Sequence, residues 1–167
     1  VLFPIQYRGR LFGWQGRHIG VTEWDDPETG KKRRIPKALT APDGLKKERL
    51  VMFADQLTGA SQAIICEGPV DAIKCRLCKP PGEPAGNVAT LGKGVSQAQL
   101  ALIRYSGVQR VYLALDPDAA TSTERLVREL TPYVEVYVLT PGPGYEDFGE
   151  MPAEEVAEIW RAARPVV

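Results

Sequence analysis

The chain has 167 residues, enough for one domain or for a domain with a smaller appendage. Its 44% hydrophobic and 25% charged content is ordinary for a soluble globular protein. No apolar run approaches the roughly 18–20 residues that span a bilayer, which excludes a helical membrane protein. Three cysteines without paired spacing argue against a disulfide scaffold and point to a reducing compartment. Net charge is zero but uneven: residues 1–50 carry 11 Lys/Arg against 6 Asp/Glu, and residues 51–167 carry 10 against 15. A basic half joined to an acidic half suits a protein that holds a phosphate backbone on one surface and a cation on another. The first residue is Val1, not Met, and the chain is expected to be part of a longer protein.

Residues 1–60 read as a small, basic α+β subdomain. Pro4–Tyr7 and Leu11–Trp14 flank the turn Arg8-Gly9-Arg10, a plausible hairpin. Asp26-Pro27-Glu28-Thr29-Gly30 is a turn, followed by the basic run Lys31–Arg34, most often a solvated loop. Lys46–Leu57 places Leu50, Phe53 and Leu57 on one face and predicts a helix. From Ala63 onward strands alternate with helices. The predicted strands are 63–66, 87–91, 110–115 and 135–139. The predicted helices are 70–78, 97–105 (opened by the capping box Ser96-x-x-Gln99), one opened by Thr121-x-x-Glu124, and 153–163 with Pro152 as its first residue. Four such repeats predict an α/β fold, a parallel sheet covered by helices on both faces.

The chemistry concentrates where these strands end. Ala63-Ile64-Ile65-Cys66 runs into Glu67-Gly68-Pro69-Val70-Asp71, and Val111–Leu115 runs into Asp116-Pro117-Asp118. Ligands of open α/β sheets bind just beyond the C-terminal strand ends. Carboxylates gathered there repel one another unless a cation neutralises them, and hard oxygen ligands suit Mg²⁺ or Mn²⁺. Asp71 stands one helical turn from Glu67, and alternation lets Asp116 and Asp118 point the same way across the stiff Pro117. Glu146 and Asp147, after the last strand, can reach the same edge.

Glu-Gly-x-x-Asp, then Asp-x-Asp, then an acidic loop on consecutive strand ends resembles the Toprim domain, over about residues 60–150. That family includes bacterial-type primases, type IA and type II topoisomerases, small ribonucleases and some nucleases. Two earlier segments narrow the resemblance. Gly9-Arg10-Leu11-Phe12-Gly13-Trp14-Gln15-Gly16-Arg17 resembles the primase pattern Gly-Arg-x-x-Gly-x-x-Gly-Arg. Pro36-Lys37-Ala38-Leu39-Thr40-Ala41-Pro42-Asp43, followed by Lys47-Glu48-Arg49, is similar to the primase segment Pro-Lys-Tyr-Leu-Asn-Ser-Pro-Glu with its following Lys-x-Arg. The chain as a whole resembles the RNA-polymerase core of a bacterial or phage primase. It departs from the pattern at Ala38, at Thr40-Ala41, and at Gly149, where the last loop often carries another Asp.

The resemblance implies a Toprim-like catalytic domain over 61–167 behind the basic 1–60 subdomain. It implies Glu67, Asp116 and Asp118 as catalytic residues, and Glu67, Asp71, Asp116, Asp118 and Asp147 as ligands of Mg²⁺ or Mn²⁺. Arg17, Lys37 and Lys47 would bind template phosphates or incoming nucleotide. The implied activity is synthesis of short RNA primers from NTPs on single-stranded DNA. The implied partners are a replicative helicase and a zinc-binding primase domain outside this chain, with no membrane. The expected location is the cytoplasm of a bacterial cell, or of the host if the chain is phage-encoded. Two other readings stay open: a Toprim-type nuclease or topoisomerase fragment, and a non-catalytic nucleic-acid-binding module. Cys75-x-x-Cys78 lacks the further ligands a zinc site needs and is expected to be structural. Lys93, between Gly92 and Gly94, is a lesser candidate for a phosphate contact, and Trp14, Trp24 and Trp160 are expected to pack.

Overall fold

The computed structural model describes every residue except Glu83, Lys93 and Val167, so the Lys93 expectation lies outside the described residues. Its centre is a four-stranded parallel sheet of β6 (Gln62–Cys66), β7 (Ala85–Ala89), β8 (Arg110–Ala114) and β9 (Glu135–Val138), in the order β7-β6-β8-β9. Strand side chains alternate between faces, and that alternation divides the core in two. Ala63, Ile65, Val111, Leu113 and Val136 face helices α2 (Gln97–Arg104) and α3 (Ala120–Leu130), through Leu100, Ile103, Leu126 and Leu130. Ile64, Cys66, Tyr112 and Ala114 face α1 (Pro69–Cys78) and α4 (Ala153–Ala162), through Ala72, Cys75, Val156 and Trp160. Trp160 is a packing residue, its indole N–H bonded to the Cys75 carbonyl at 3.0 Å, whereas Trp14 and Trp24 stay over 40% exposed. Among the described residues no helix is long and apolar enough to cross a membrane.

Before the parallel sheet lies an antiparallel one of β1 (Leu2–Tyr7), β2 (Arg10–Arg17) and β5 (Ala38–Ala41), with a separate exposed ribbon of β3 (Glu23–Asp25) and β4 (Lys32–Arg34). The Arg8-Gly9 turn between β1 and β2 is the predicted hairpin, both residues having positive φ. In the ribbon, Arg33 pairs with Asp26 and Arg34 with Glu23, both on the surface.

The predicted helix over 46–57 is absent. Two short 3₁₀ turns, Lys47–Arg49 and Ala54–Leu57, replace it. Between them Met52 is extended and exchanges both backbone hydrogen bonds with Ala89 at 2.9 and 3.2 Å. Val51 and Met52 are buried there, and tertiary pairing of this kind overrides local helix propensity. The N-terminal part is thus β-rich, and its Ile5 and Met52 enter the same apolar cluster as Ile64. Smaller differences sit at element ends. β7 begins and stops two residues earlier than predicted, α3 starts from a 3₁₀ turn at Pro117–Ala119 rather than at Thr121, and Pro152 is the N-cap of α4 rather than its first residue.

Candidate metal centre

The chain leaves β6 for α1 toward β7 on one side, and later returns through α2 to β8 on the other. The gap between the C-terminal ends of β6 and β8 is therefore a topological switch point, the usual ligand crevice of an open α/β sheet. Glu67 follows the last residue of β6, and Asp116 and Asp118 follow β8. Their carboxylates each offer an oxygen within 4.8 Å of the others. Glu67 is 8% exposed, Asp116 half-buried and Asp118 exposed, so the cluster grades from the sheet edge to solvent. Asp116 and Asp118 converge through the 3₁₀ turn that Pro117 opens, not through strand alternation. Three convergent carboxylates with hard oxygens are a donor set that fits a divalent cation such as Mg²⁺.

The backbone of Glu67 is fixed from the neighbouring strand. The Thr90 N–H donates to the Cys66 carbonyl and the Leu91 N–H to the Glu67 carbonyl, both at 3.0 Å. Leu91 makes that bond at φ +66°, an uncommon conformation for a bulky residue, while 4% exposed.

Asp71 and Asp147 form a second acidic group. Asp71, on the first turn of α1, is 6% exposed and accepts the Gly149 N–H at 2.9 Å. Burial, followed by the nearby Asp147 charge, pushes its pKa up to about 6, while the Gly149 N–H pulls the other way. Asp147 accepts the Glu150 N–H at 3.0 Å. Two glycines make room for this arrangement. A Cβ on Gly68 would sit 2.7 Å from Asp71 Oδ2, and one on Gly149 would sit 3.1 Å from Asp71 Oδ1 and 3.2 Å from Asp147 Oδ1. The φ of Gly68 is −107°, open to any residue, so close approach of the carboxylate, not turn geometry, calls for glycine there.

Two of the three basic candidates line cavities shared with residues of this edge. Arg17, at the end of β2, lines a cavity of about 410 Å³ together with Val70, Asp147, Gly149 and Glu150. Lys47 is exposed and lines two cavities, one with Thr40 and Asp43 and one of about 420 Å³ with Thr90, Leu91, Ser122 and Arg125. Lys37 is exposed, its carbonyl accepting the His18 N–H at 2.9 Å. Cys66 and Cys75 are buried free thiols; burial, then a hydrogen bond between the two, raises the Cys66 pKa well above the ordinary thiol range. Among the described residues no cysteine joins a group able to hold a metal.

No family model and no curated protein matches the chain. Solved structures do match it. The RNA polymerase domain of the Mycobacterium tuberculosis primase DnaG aligns with 98% of this chain at a TM-score of 0.66 and 17% identity, covering 55% of that chain. The same domain in complex with double-stranded DNA aligns with 98% of this chain at 0.65 and 18%, covering 53% of that chain. The chain has the fold of a primase RNA polymerase domain. It spans about half the length of the solved domains it matches. Within that shared fold, Glu67, Asp116 and Asp118 occupy the edge where an α/β sheet presents its ligand site.

Proposed function

We propose that the chain is the catalytic core of a bacterial-type primase, a Toprim enzyme that makes short RNA primers from NTPs on single-stranded DNA with Mg²⁺ or Mn²⁺. The observation that carries this reading is the convergence of Glu67, Asp116 and Asp118 within 4.8 Å at the switch point of a sheet with the primase polymerase fold. A divalent cation bound there would lower the pKa of an attacking 3′-hydroxyl and offset charge on the departing pyrophosphate.

The protein's own part is holding and orienting. Asp116 and Asp118, toward solvent, would supply anionic oxygens to hold the cation. Glu67, the most buried of the three, would take the hydroxyl proton. Asp71 and Asp147 add negative charge beside the cluster without joining it. Lys47 and Lys37 grip phosphates of nucleotide or template, and the planar Arg17 guanidinium is suited to a two-pronged phosphate contact. Residues 1–60 are the basic, strand-gripping part and 61–167 the catalytic part. A helicase and a zinc-binding primase domain outside this chain would be its partners in a bacterial cell, or in the host cytoplasm for a phage protein.

The test is primer synthesis on single-stranded DNA with labelled NTPs and Mg²⁺ or Mn²⁺, with Asp116→Ala in parallel. Template-dependent RNA products that disappear in the variant or with EDTA are the expected result. Cleavage of the DNA in place of synthesis would move the nuclease reading to the front. Absence of both, with DNA still bound, would leave a binding module.

A further inference from the structure

Gln99 sits on α2, away from the acidic cluster, yet its side chain joins the two halves of the candidate site. We propose that Gln99 is a positioning residue that sets Lys47 against the acidic edge, an inference that rests on the primase reading for what Lys47 then grips.

The sequence explains only half of what this side chain does. As the third residue of α2, its Oε1 accepts the Ser96 N–H at 2.9 Å while its own N–H donates to Ser96 Oγ at 3.1 Å, the reciprocal capping box. In such a box the distal NH₂ of a glutamine ordinarily faces water. Here Gln99 is 2% exposed, and its Nε2 donates to the carbonyls of Lys47 at 3.0 Å, Leu50 at 2.8 Å and Thr90 at 2.8 Å. The first two belong to the 3₁₀ turn that carries Lys47, and the third to the loop leaving β7. Ser96 Oγ adds a bond to the Glu48 carbonyl in the same turn.

Thr90 continues the path. Its N–H holds the Cys66 carbonyl, and the next N–H, that of Leu91, holds the Glu67 carbonyl. One buried amide thus links the backbone of Lys47 to the peptide that fixes Glu67. Lys47 lines the cavity formed by Thr90, Leu91, Ser122 and Arg125, with Gln99 in its wall. The Lys47 carbonyl also accepts the Leu50 N–H at 3.0 Å, so loss of the Gln99 amide withdraws the donor that ties this turn to Thr90 and bears most on the Leu50 and Thr90 carbonyls.

Two substitutions separate capping from positioning. Gln99→Glu keeps an oxygen for the Ser96 N–H but turns the face toward Lys47, Leu50 and Thr90 from donor to acceptor. Gln99→Met removes donor and acceptor without adding charge, and serves if the glutamate variant fails to fold. Hydrogen exchange by mass spectrometry should show faster exchange over residues 46–53 in the folded variant, with the β6 peptide still protected. Equilibrium dialysis of labelled ATP with Mn²⁺ should show weaker binding by about tenfold or more, and the same loss as Lys47→Ala. The double variant should be no weaker than either single one, because coupled residues are non-additive. In primer synthesis the loss should fall on the KM for NTP more than on kcat.

Unchanged exchange over 46–53, or effects of Gln99→Met and Lys47→Ala that simply add, would overturn the inference. If wild type binds nucleotide but makes no primer, the primase reading fails while exchange and dialysis still decide the role of Gln99. If wild type binds no nucleotide, both fall.

Discussion

Two acidic groups flank the start of α1, and their arrangements differ. Glu67, Asp116 and Asp118 point oxygens at one another across the β6–β8 crevice and open progressively to solvent. Asp71 is turned into the protein, bonded to the Gly149 N–H and crowded by Asp147. The first group has the geometry to hold a cation and the access to deliver one. The second has a backbone donor already on its carboxylate, and its proton is held more tightly than usual. Carboxylates that look equivalent along the sequence are therefore separated by where they converge: Glu67 and Asp71 are both buried, but only Glu67 meets the two aspartates that follow β8.

The largest way to sharpen that contrast is Asp118→Asn. Primer synthesis should fall on the order of 1,000-fold, while stability changes by no more than about 0.5 kcal/mol because the side chain is exposed. An active Asp118→Asn enzyme would break the comparison at its stronger side.

Asp71→Asn should behave differently in both respects. Synthesis should fall by only about 10- to 100-fold, as for a group that supports metal ligands from outside. Metal-free protein at pH 7 should gain on the order of 1–3 kcal/mol. The sign follows from the folded pKa of about 6, above the ordinary 3.8. The folded state holds the Asp71 proton more tightly, so this contribution to stability is full below about pH 4, declines as pH rises, and is lost above about pH 6. Urea titrations between pH 4 and 7 should show that slope in wild type and its absence in Asp71→Asn. A parallel slope in both would mean Asp71 ionises normally in the fold.

Gly68→Ala should cost about 1–3 kcal/mol, since its Cβ would meet Asp71 Oδ2 at 2.7 Å and must displace it. Pairing it with Asp71→Ala, which removes the obstructing oxygen, should recover most of that loss. The smallest effect is expected from Asp147→Asn. Removing one neighbouring charge should lower the Asp71 pKa below about 6, visible by NMR titration, and leave synthesis within a few-fold of wild type.

Much of the acidic edge is legible in the chain. Apolar runs ending in Glu67 and Asp116 announce buried strands with acidic ends, and the Ser96–Gln99 box marked the start of α2 correctly. What escaped was set by partners distant in sequence. The helical spacing of Leu50, Phe53 and Leu57 gave no warning that Met52 would pair with Ala89. The apolar continuation to Leu91 concealed the end of β7, because nothing local signals that Leu91 adopts positive φ to reach Glu67. The spacing of Glu67 and Asp71 put both on one side of a helical turn but could not reveal that Gly149 would take the Asp71 carboxylate. The Ser96-x-x-Gln99 spacing marks Gln99 as a cap, and its other contacts lie 49 and 52 residues away at Leu50 and Lys47.

The measurement that bears most directly on the metal-centre assignment is Mn²⁺ binding, followed by electron paramagnetic resonance, in wild type, Asp116→Ala, Asp118→Asn and Asp147→Asn. The account predicts bound Mn²⁺ in wild type, loss in both cluster variants, and near-normal binding in Asp147→Asn. Binding that survives Asp116→Ala and Asp118→Asn but vanishes with Asp147→Asn would place the cation at the other acidic group and contradict it.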